Sequence, residues 1–291
     1  MKALKALLLS IIGASLLFIG CHKEQTEACN AKVKVHINDF SVEQEEFSGA
    51  KDAIVDYSGV NAVTLAFYTT AGTEQYKVTQ LRNDASTYTT FGEFECALPM
   101  GSYTMVVVAY KTQGDSPFEL TGPTAAAFTG AHAFETFATT QAVNITSTSD
   151  VNLNATLSRI VAKLQVLSTD GKTANATNVR MTFAAGGKSF NPATGLATSN
   201  TGFANTVSIS AATGSTSNSI SYLFLATDEQ TMDVAIDVLD SDGNSISHRE
   251  VSDVPFKRNR LTKLTGSLYS TDAGSTFQLS TAWLSDTTIT F

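Results

Sequence analysis

Apolar and polar residues alternate with a period of two in several parts of the chain, and this pattern limits the possible folds most strongly. The stretch KVKVHIND places Val33, Val35 and Ile37 on one face of an extended chain and charged or polar side chains on the other. The same alternation recurs at 63–70 and 231–239. Successive side chains of a β-strand point to opposite faces, so this period predicts half-buried strands. Because no segment shows the period of a long amphipathic helix, the sequence predicts an all-β fold.

A polar stretch in the middle of the chain indicates two domains. Residues 139–158 are rich in Thr, Ser and Asn, and a new alternating stretch, RIVAKLQV, follows directly. We place the border near residue 155, which gives an N-terminal β-sandwich at 31–155 and a C-terminal β-sandwich at 156–291. Each half has the length of one β-sandwich domain. One short stretch, GPTAAAFTG at 122–130, is a candidate for a short helix.

The start of the chain has the layout of an export signal. Two lysines precede an apolar run that closes at Gly20 and is too short to cross a bilayer as a helix. Gly20 followed by Cys21 resembles the lipobox of bacterial lipoproteins. That resemblance implies that residues 1–20 are cleaved off, that the Cys21 thiol is acylated, for instance with palmitate, and that residues 21–30 form a lipidated tether. An ordinary secretory signal with a coincidental cysteine is the alternative.

The residues after Cys21 and the overall charge bear on location and partners. The sequence HKEQTEA resembles the charged export signal of Bacteroidetes lipoproteins that reach the cell surface, so we expect a lipid-anchored outer-membrane protein facing outward. An inner-leaflet position is the alternative. Without residues 1–20 the chain has 17 basic and 27 acidic residues. Such an acidic chain argues against nucleic acid as a partner.

The sequence lacks the patterns of catalytic and metal sites. Its four histidines are scattered, and it has neither HExxH, nor zinc-ligand spacing, nor a GxSxG elbow. We therefore predict no enzyme activity, no catalytic residues, no metal and no cofactor. The stretch DSDGN at 240–244 opens like a calcium loop but has Val251 at the twelfth position, where a glutamate is needed, and it predicts a hairpin turn instead.

Several further short stretches and residues carry weaker signals. The basic KRNR at 257–260 is either a contact for a phosphate or an acidic glycan, or a loop that leads into a strand, which we favour. The stretch GGKSF at 186–190 lacks the spacing of a phosphate loop and predicts a hairpin turn. Cys29 and Cys96 either form one disulfide or stay as two unpaired thiols. Thr287, in DTT, resembles a Bacteroidetes O-glycosylation site.

Three segments resemble those of Bacteroidetes fimbrillin-like lipoproteins, a family with FimA-type subunits and FimB/Mfa2-type anchors. They are LPMGSYTMVVVAY at 98–110, LSRIVAKLQV at 157–166 and VPFKRNRLTKLTGSLYS at 254–270. The resemblance implies two tandem transthyretin-like β-sandwiches and a role in surface fimbriae or adhesion. The implied partners are other fimbrial subunits, the membrane through the N-terminal lipid, and host or bacterial surface ligands. A surface glycan-binding lipoprotein is the alternative function.

The same resemblance implies an assembly mechanism. In polymerising fimbrillins a protease, commonly Arg-specific, removes the N-terminal strand, and a strand from the next subunit fills the groove by β-strand addition. Here the candidate exchangeable strand carries Val33, Val35 and Ile37. The sequence has no Arg between Cys21 and Arg82, so early Arg cleavage is not available. This favours an anchor or accessory subunit that keeps its lipid and its first strand. The C-terminal tail at 276–291 is either the last strand of the second sandwich or a strand offered to a neighbour.

Overall fold

A computed structural model describes residues 30–41, 57–84, 86–114, 116–270 and 278–280, and every regular element within them is a β-strand. The all-β prediction is confirmed. The strands of the first half are β1 (Asn30–Ser41), β2 (Ala62–Thr69), β3 (Glu74–Leu81), β4 (Glu93–Pro99), β5 (Gly101–Tyr110), β6 (Phe118–Gly122), β7 (Ala125–Phe128), β8 (Thr136–Ile145) and β9 (Val151–Arg159). Those of the second half are β10 (Ala162–Ser168), β11 (Asn178–Phe183), β12 (Ser189–Phe190), β13 (Phe203–Ser208), β14 (Asn218–Leu223), β15 (Glu229–Leu239), β16 (Ser245–Lys257), β17 (Leu261–Gly266) and β18 (Gln278–Ser280).

The first half is built on one seven-stranded sheet with the order β3-β2-β5-β8-β9-β1-β4. Strands β8 and β9 pair only at Phe137–Arg159 and Ala138–Ser158. The sheet therefore divides there into a four-stranded layer and a three-stranded layer. Side chains from both layers meet in one buried core, which includes Leu65, Phe67, Val107, Phe137 and Leu157 as well as residues of β1. The first half is thus a β-sandwich whose two layers share a corner.

The second half is a sandwich of two separate four-stranded sheets. Their orders are β14-β10-β17-β18 and β13-β11-β15-β16. The alternation predicted from sequence holds here: Leu164 and Val166 of β10 and Ile236 of β15 have no exposed surface, and they pack in one core with Met181 and Phe256. Strand β10 runs parallel to β17, whereas the hairpin of β15 and β16 is antiparallel.

A third, small sheet joins the two halves. Its order is β12-β7-β6, so that β12 of the second half pairs with β7 of the first. Around it lies a shared aromatic cluster, in which the fully buried rings of Phe190 and Phe224 stack with centroids 4.3 Å apart, and Phe118 and Phe128 pack beside them. The two halves therefore share this apolar cluster, in addition to the separate core of each sandwich.

Two sequence predictions differ from the structure at this small sheet, one of them entirely and the other in part. The candidate helix at 122–130 is wrong: its middle forms β7, because Ala126 and Phe128 are buried in the junction and the backbone pairs with strands on both sides. The hairpin turn predicted at 186–190 is only partly right. Gly186 does turn the chain at a φ of 74°, which suits glycine because other residues rarely adopt positive φ. The following residues, however, continue into β12.

A buried ionic network lies where the chain passes from one half to the other. The Arg159 side chain has no exposed surface, and its guanidinium lies 2.9 Å from the Glu135 carboxylate. Tyr57 donates a 2.6 Å hydrogen bond to Glu135, and Arg159 donates one of 3.1 Å to the amide oxygen of Asn259. The network connects residues of both halves. The predicted border near residue 155 falls within β9 and stays a prediction.

None of the described residues forms a helix that is long and apolar enough to span a membrane. The signal at 1–20, Cys21, Cys29 and Thr287 lie outside the described residues.

Candidate functional site

The strand nearest to the predicted lipid lies inside its sheet, between β9 and the edge strand β4. β1 runs parallel to β9 on one side and antiparallel to β4 on the other, in register over His36–Glu93 to Asn30–Pro99. Val33 and Val35 have no exposed surface and Ile37 has 2 %. These three side chains share the buried core of the first sandwich, so the structure places all three residues of the candidate exchangeable strand on the core side of one strand.

The outer face of β1 is basic and faces an acidic strand. Lys32 forms an ion pair of 2.7 Å with Glu95 of β4, and the ring of His36 contacts the carboxylate of Glu93. These side chains are each about half exposed, so each pair adds at most about 1 kcal/mol to stability. Burial of the three aliphatic side chains contributes more, at about 1.5–3 kcal/mol for each. The apolar face therefore dominates the free energy that holds β1 in place.

Cys96 lies directly opposite Val33 in β4 and is a free, buried thiol. Of the two alternatives for the cysteines, the unpaired thiol holds for Cys96. Burial, with a smaller contribution from Glu95, raises the pKa of Cys96 to about 11. The thiol is therefore protonated near neutral pH, which makes it a poor nucleophile.

The turn predicted at DSDGN connects β15 and β16. Asp240 accepts hydrogen bonds of 2.9 Å from the backbone N–H groups of Asp242 and Asn244, and Gly243 has a φ of 83°. These bonds, first of all that from Asn244, lower the pKa of Asp240. The carboxylate thus completes the turn, as the sequence predicts. Within the described residues no group of three or more His, Cys, Asp or Glu side chains could hold a metal ion.

The basic stretch KRNR lies at the connection from β16 to β17, as expected for a loop leading into a strand. It borders a polar cleft of about 580 Å³ between the two halves. Lys257 pairs with Glu229 at 2.5 Å, and Arg258 pairs with Asp228 at 2.7 Å and donates to the carbonyl of Thr194 at 2.6 Å. Both cations pair with neighbouring residues of the same chain, which supports the structural interpretation of the cluster.

The sequence analysis missed two polar features that the fold creates. One is the buried network of Arg159, for which the only signal is a charged residue at the end of an otherwise alternating stretch. The other is Gln80, which is 4 % exposed and bridges β3 to the start of β4. Both depend on contacts between residues distant in sequence, so local patterns do not reveal them.

Comparisons with known proteins agree with this architecture. Residues 30–290 match the model of a protein family described as a family of unknown function. A comparison with curated proteins finds no match. The chain is similar to the crystal structure of a candidate adhesin from Bacteroides ovatus, with a TM-score of 0.52, 9 % sequence identity, and coverage of 86 % of this chain and 93 % of that one. At such low identity this likeness shows a shared fold.

Two other solved structures are similar to this chain with lower TM-scores. The fimbrial anchor protein Mfa2 from Porphyromonas gingivalis gives a TM-score of 0.47 at 11 % identity, over 86 % of this chain and 95 % of that chain. A candidate polysaccharide-binding protein from Bacteroides thetaiotaomicron gives 0.49 at 10 % identity, over 82 % and 92 %.

Proposed function

The chain belongs to that family, DUF6562, and we propose that it is a non-catalytic, lipid-anchored fimbrial subunit at the cell surface, acting as an anchor or accessory component. The observation that carries this proposal is the position of β1. The strand that follows the proposed tether at 21–30 is paired along both edges and contributes three buried aliphatic side chains to the core. An attachment through Cys21 would thus join the lipid to the centre of the first sandwich.

Retention of β1 is the second part of the proposal. Leaving the sheet would expose Val33, Val35 and Ile37 and break two ladders of backbone hydrogen bonds at once. The sequence offers no Arg between Cys21 and Arg82 at which a protease could remove the strand. An anchor that keeps β1 fits both facts, and it would join its neighbours by β-strand addition at another edge.

A disulfide that locks β1 in the sheet tests whether this strand must leave the sheet for the subunit to join a fibre. Val33→Cys places a thiol opposite the native Cys96. Residues paired in this way have Cα atoms about 4.5–5.5 Å apart, which suits a disulfide. We expect the oxidised variant, expressed in cells, to co-purify with extracted fimbriae as the wild type does. The matched control is Val33→Ser, which cannot form the bond.

Two results would contradict the proposal. If the locked protein is absent from fibres while Val33→Ser is present, β1 has to leave and the subunit is not a strand-retaining anchor. If neither the wild type nor any variant co-purifies with fibres, the fimbrial role itself is wrong.

The lipid anchor has its own test. Cys21→Ala should release the protein from the membrane fraction or leave it unprocessed, because the thiol that would carry the lipid is missing. Cys29→Ala, eight residues further along, is the control and should stay membrane-bound. Membrane association and acylation that survive Cys21→Ala would refute the anchor.

The alternative of a glycan-binding lipoprotein finds less support. Sugar binding of the predicted kind needs a platform of exposed aromatic rings. Among the residues whose side chains are described, the large hydrophobic ones that are well exposed are Leu81 and Met100, neither of them aromatic. We therefore prefer the fimbrial proposal.

A further inference from the structure

Three turns of the first sandwich lie at the end where the proposed tether joins it. β1 begins at Asn30, which pairs with Pro99 at the end of β4. The β4–β5 turn therefore lies beside the start of β1, and the pairing of β5 with β2 and with β8 brings the turns of those strands to the same end. We call this surface the tether end. Besides Asn30 it consists of residues 70–73, 99–101 and 146–150.

The tether end lies opposite the second half of the chain. The parallel strands β1 and β9 both run away from it, and their last paired residues are Ser41 and Ser158. The next residue, Arg159, ends β9 and belongs to the buried network that connects the two halves. With its tether end on a membrane, the protein would therefore hold its second sandwich away from that membrane.

The most exposed large hydrophobic side chain of the described residues lies at the tether end. Met100, in the middle of the β4–β5 turn, is 57 % exposed. The other large hydrophobic residue that is well exposed is Leu81, at 38 %. Leu81 ends β3 on the far side of the sandwich, roughly 20 Å from the turn that begins this strand. The larger of the two exposed apolar surfaces thus lies next to the proposed tether.

The β4–β5 turn is fixed from beneath by Tyr103. This side chain is buried, and its hydroxyl donates a 2.9 Å hydrogen bond to the carbonyl of Pro99. The hydroxyl also lies so close to Gly101 that a Cβ built there would come within 3.2 Å of it. Because Tyr103 occupies the space below the turn, the turn presents Met100 to the outside.

The rest of the tether end is almost uncharged. Its turns consist mainly of Thr, Ser, Ala and Gly, and their single charged residue is Asp150, which lies near Lys32. Glu74, at the border of this surface, pairs with Lys77 at 2.6 Å. Covering charged groups with lipid is costly, whereas hydroxyl groups can keep their hydrogen bonds among lipid head groups. This surface can therefore approach a bilayer with little loss of hydration of charged groups.

The proposed lipid would be attached within reach of this surface. Nine Cα–Cα steps separate Cys21 from Asn30, and a chain of that length spans at most about 30 Å. A short tether gives the side chain a high effective concentration at the bilayer, so that even a weak preference for lipid leads to contact. Methionine suits such a contact, because its side chain is flexible, apolar and polarizable.

We propose that the tether end rests on the membrane that holds the acylated Cys21, with Met100 inserted among the lipids. This inference rests on the proposed lipid anchor and adds a defined orientation to it. The partner of the surface is the lipid bilayer itself. The first sandwich stands on the membrane, and the second sandwich projects away from it.

Oxidation of methionine tests the contact without changing the site. The other three methionines after Cys21 are at most 5 % exposed, so a water-soluble oxidant such as chloramine-T should convert Met100 to its sulfoxide first. Leu81→Met adds a reference at the far end of β3. In the acylated variant bound to phosphatidylcholine vesicles, Met100 should oxidise at least fivefold more slowly than the introduced methionine, although its position is the more exposed one. Mass spectrometry of the peptides measures both.

Quenching by brominated lipids identifies lipid as the material that covers Met100. Trp283 is the single native tryptophan, so Trp283→Phe removes the background fluorescence. In that protein, Met100→Trp should be quenched in vesicles of phosphatidylcholine with brominated acyl chains. Leu81→Trp is the matched control and should keep its fluorescence in the same vesicles.

Three results would overturn the proposal, and they separate it from the lipid anchor. Equal oxidation of the two methionines in membrane-bound protein would refute the contact and leave the anchor intact. Slow oxidation of Met100 without quenching of Met100→Trp would show that another part of the chain covers the turn, which also refutes it. If the protein carries no acyl chain and does not bind vesicles, the anchor itself is wrong and the contact falls with it.

Discussion

Asp170 illustrates how one side chain fixes a whole segment. Its carboxylate accepts hydrogen bonds from the backbone N–H groups of Leu268, Tyr269 and Ser270, each 2.7–2.8 Å long, and from the hydroxyl of Ser267 at 2.7 Å. Burial alone would raise the pKa of Asp170, but these four bonds outweigh it and hold the pKa below its usual value. The segment that follows β17 is therefore held in place by a charged group.

This geometry predicts a pH-dependent loss of stability. Asp170→Asn should lower the free energy of unfolding at pH 7 by about 1–3 kcal/mol, because the amide cannot accept all four bonds and buried donors are left unpaired. The pKa of Asp170 is lower in the folded than in the unfolded protein, so its contribution is present above the unfolded pKa and is lost as the pH falls. Urea unfolding of both proteins should show their difference shrinking as the pH falls below the ordinary pKa of an aspartate, about 4.

The control for Asp170 is an exposed carboxylate. Asp228 forms a surface ion pair with Arg258, and its side chain is 67 % exposed. Asp228→Asn should change stability by less than about 1 kcal/mol at every pH. Equal effects of the two substitutions would show that Asp170 is no more important than a surface charge.

At the scale of elements, the sequence of β1 clearly predicts a strand, but it does not predict where this strand lies in the sheet. The alternation of KVKVHIND shows which side chains are buried, and the structure agrees for Val33, Val35 and Ile37. The alternation cannot show that β1 lies between β9, more than a hundred residues later, and β4. That choice depends on pairing between distant strands, which leaves no trace in a local pattern.

Adjacent substitutions in β1 test its role in the core. Val35→Ala should lower the free energy of unfolding by about 1.5–3 kcal/mol, since it removes buried methyl groups. Lys34→Ala, one residue away on the exposed face, should change it by less than about 0.5 kcal/mol. Chemical denaturation measures both. Similar small effects would mean that β1 does not belong to the cooperatively folded core.

The failed helix prediction at 122–130 has a related cause. Alanine favours helices when no other interaction decides. Here Ala126 and Phe128 become buried because β6 and β12 lie on either side of β7, and tertiary packing overrides the local preference.

For the whole molecule, the shared small sheet and aromatic cluster determine how the halves behave together. Phe224 comes from the second half, and Phe128 comes from the first half. Their rings stack at 6.3 Å, and Phe224 has no exposed surface. Because neither half can open this cluster without exposing apolar surface, we expect the wild-type protein to unfold in a single calorimetric transition.

Substitutions of two buried phenylalanines can distinguish the coupling between the two halves from the stability of the protein. Phe224→Ala and Phe256→Ala should each cost about 3–5 kcal/mol. Only Phe224→Ala removes a ring from the junction, so only this variant should split the transition into two, whereas Phe256 lies in the core of the second sandwich. A wild-type protein that already unfolds in two separate steps would contradict the expected coupling.

The position of β1 between two strands also affects how the protein responds to a pulling force. A pull applied ahead of Asn30, along the strand, acts at right angles to the hydrogen bonds that join β1 to the antiparallel β4, and at a slant to those that join it to the parallel β9. All these bonds then resist shear together, instead of being peeled away one by one as at the end of a hairpin. In the proposed anchored protein, tension between the lipid and a neighbouring subunit would therefore load β1 in shear.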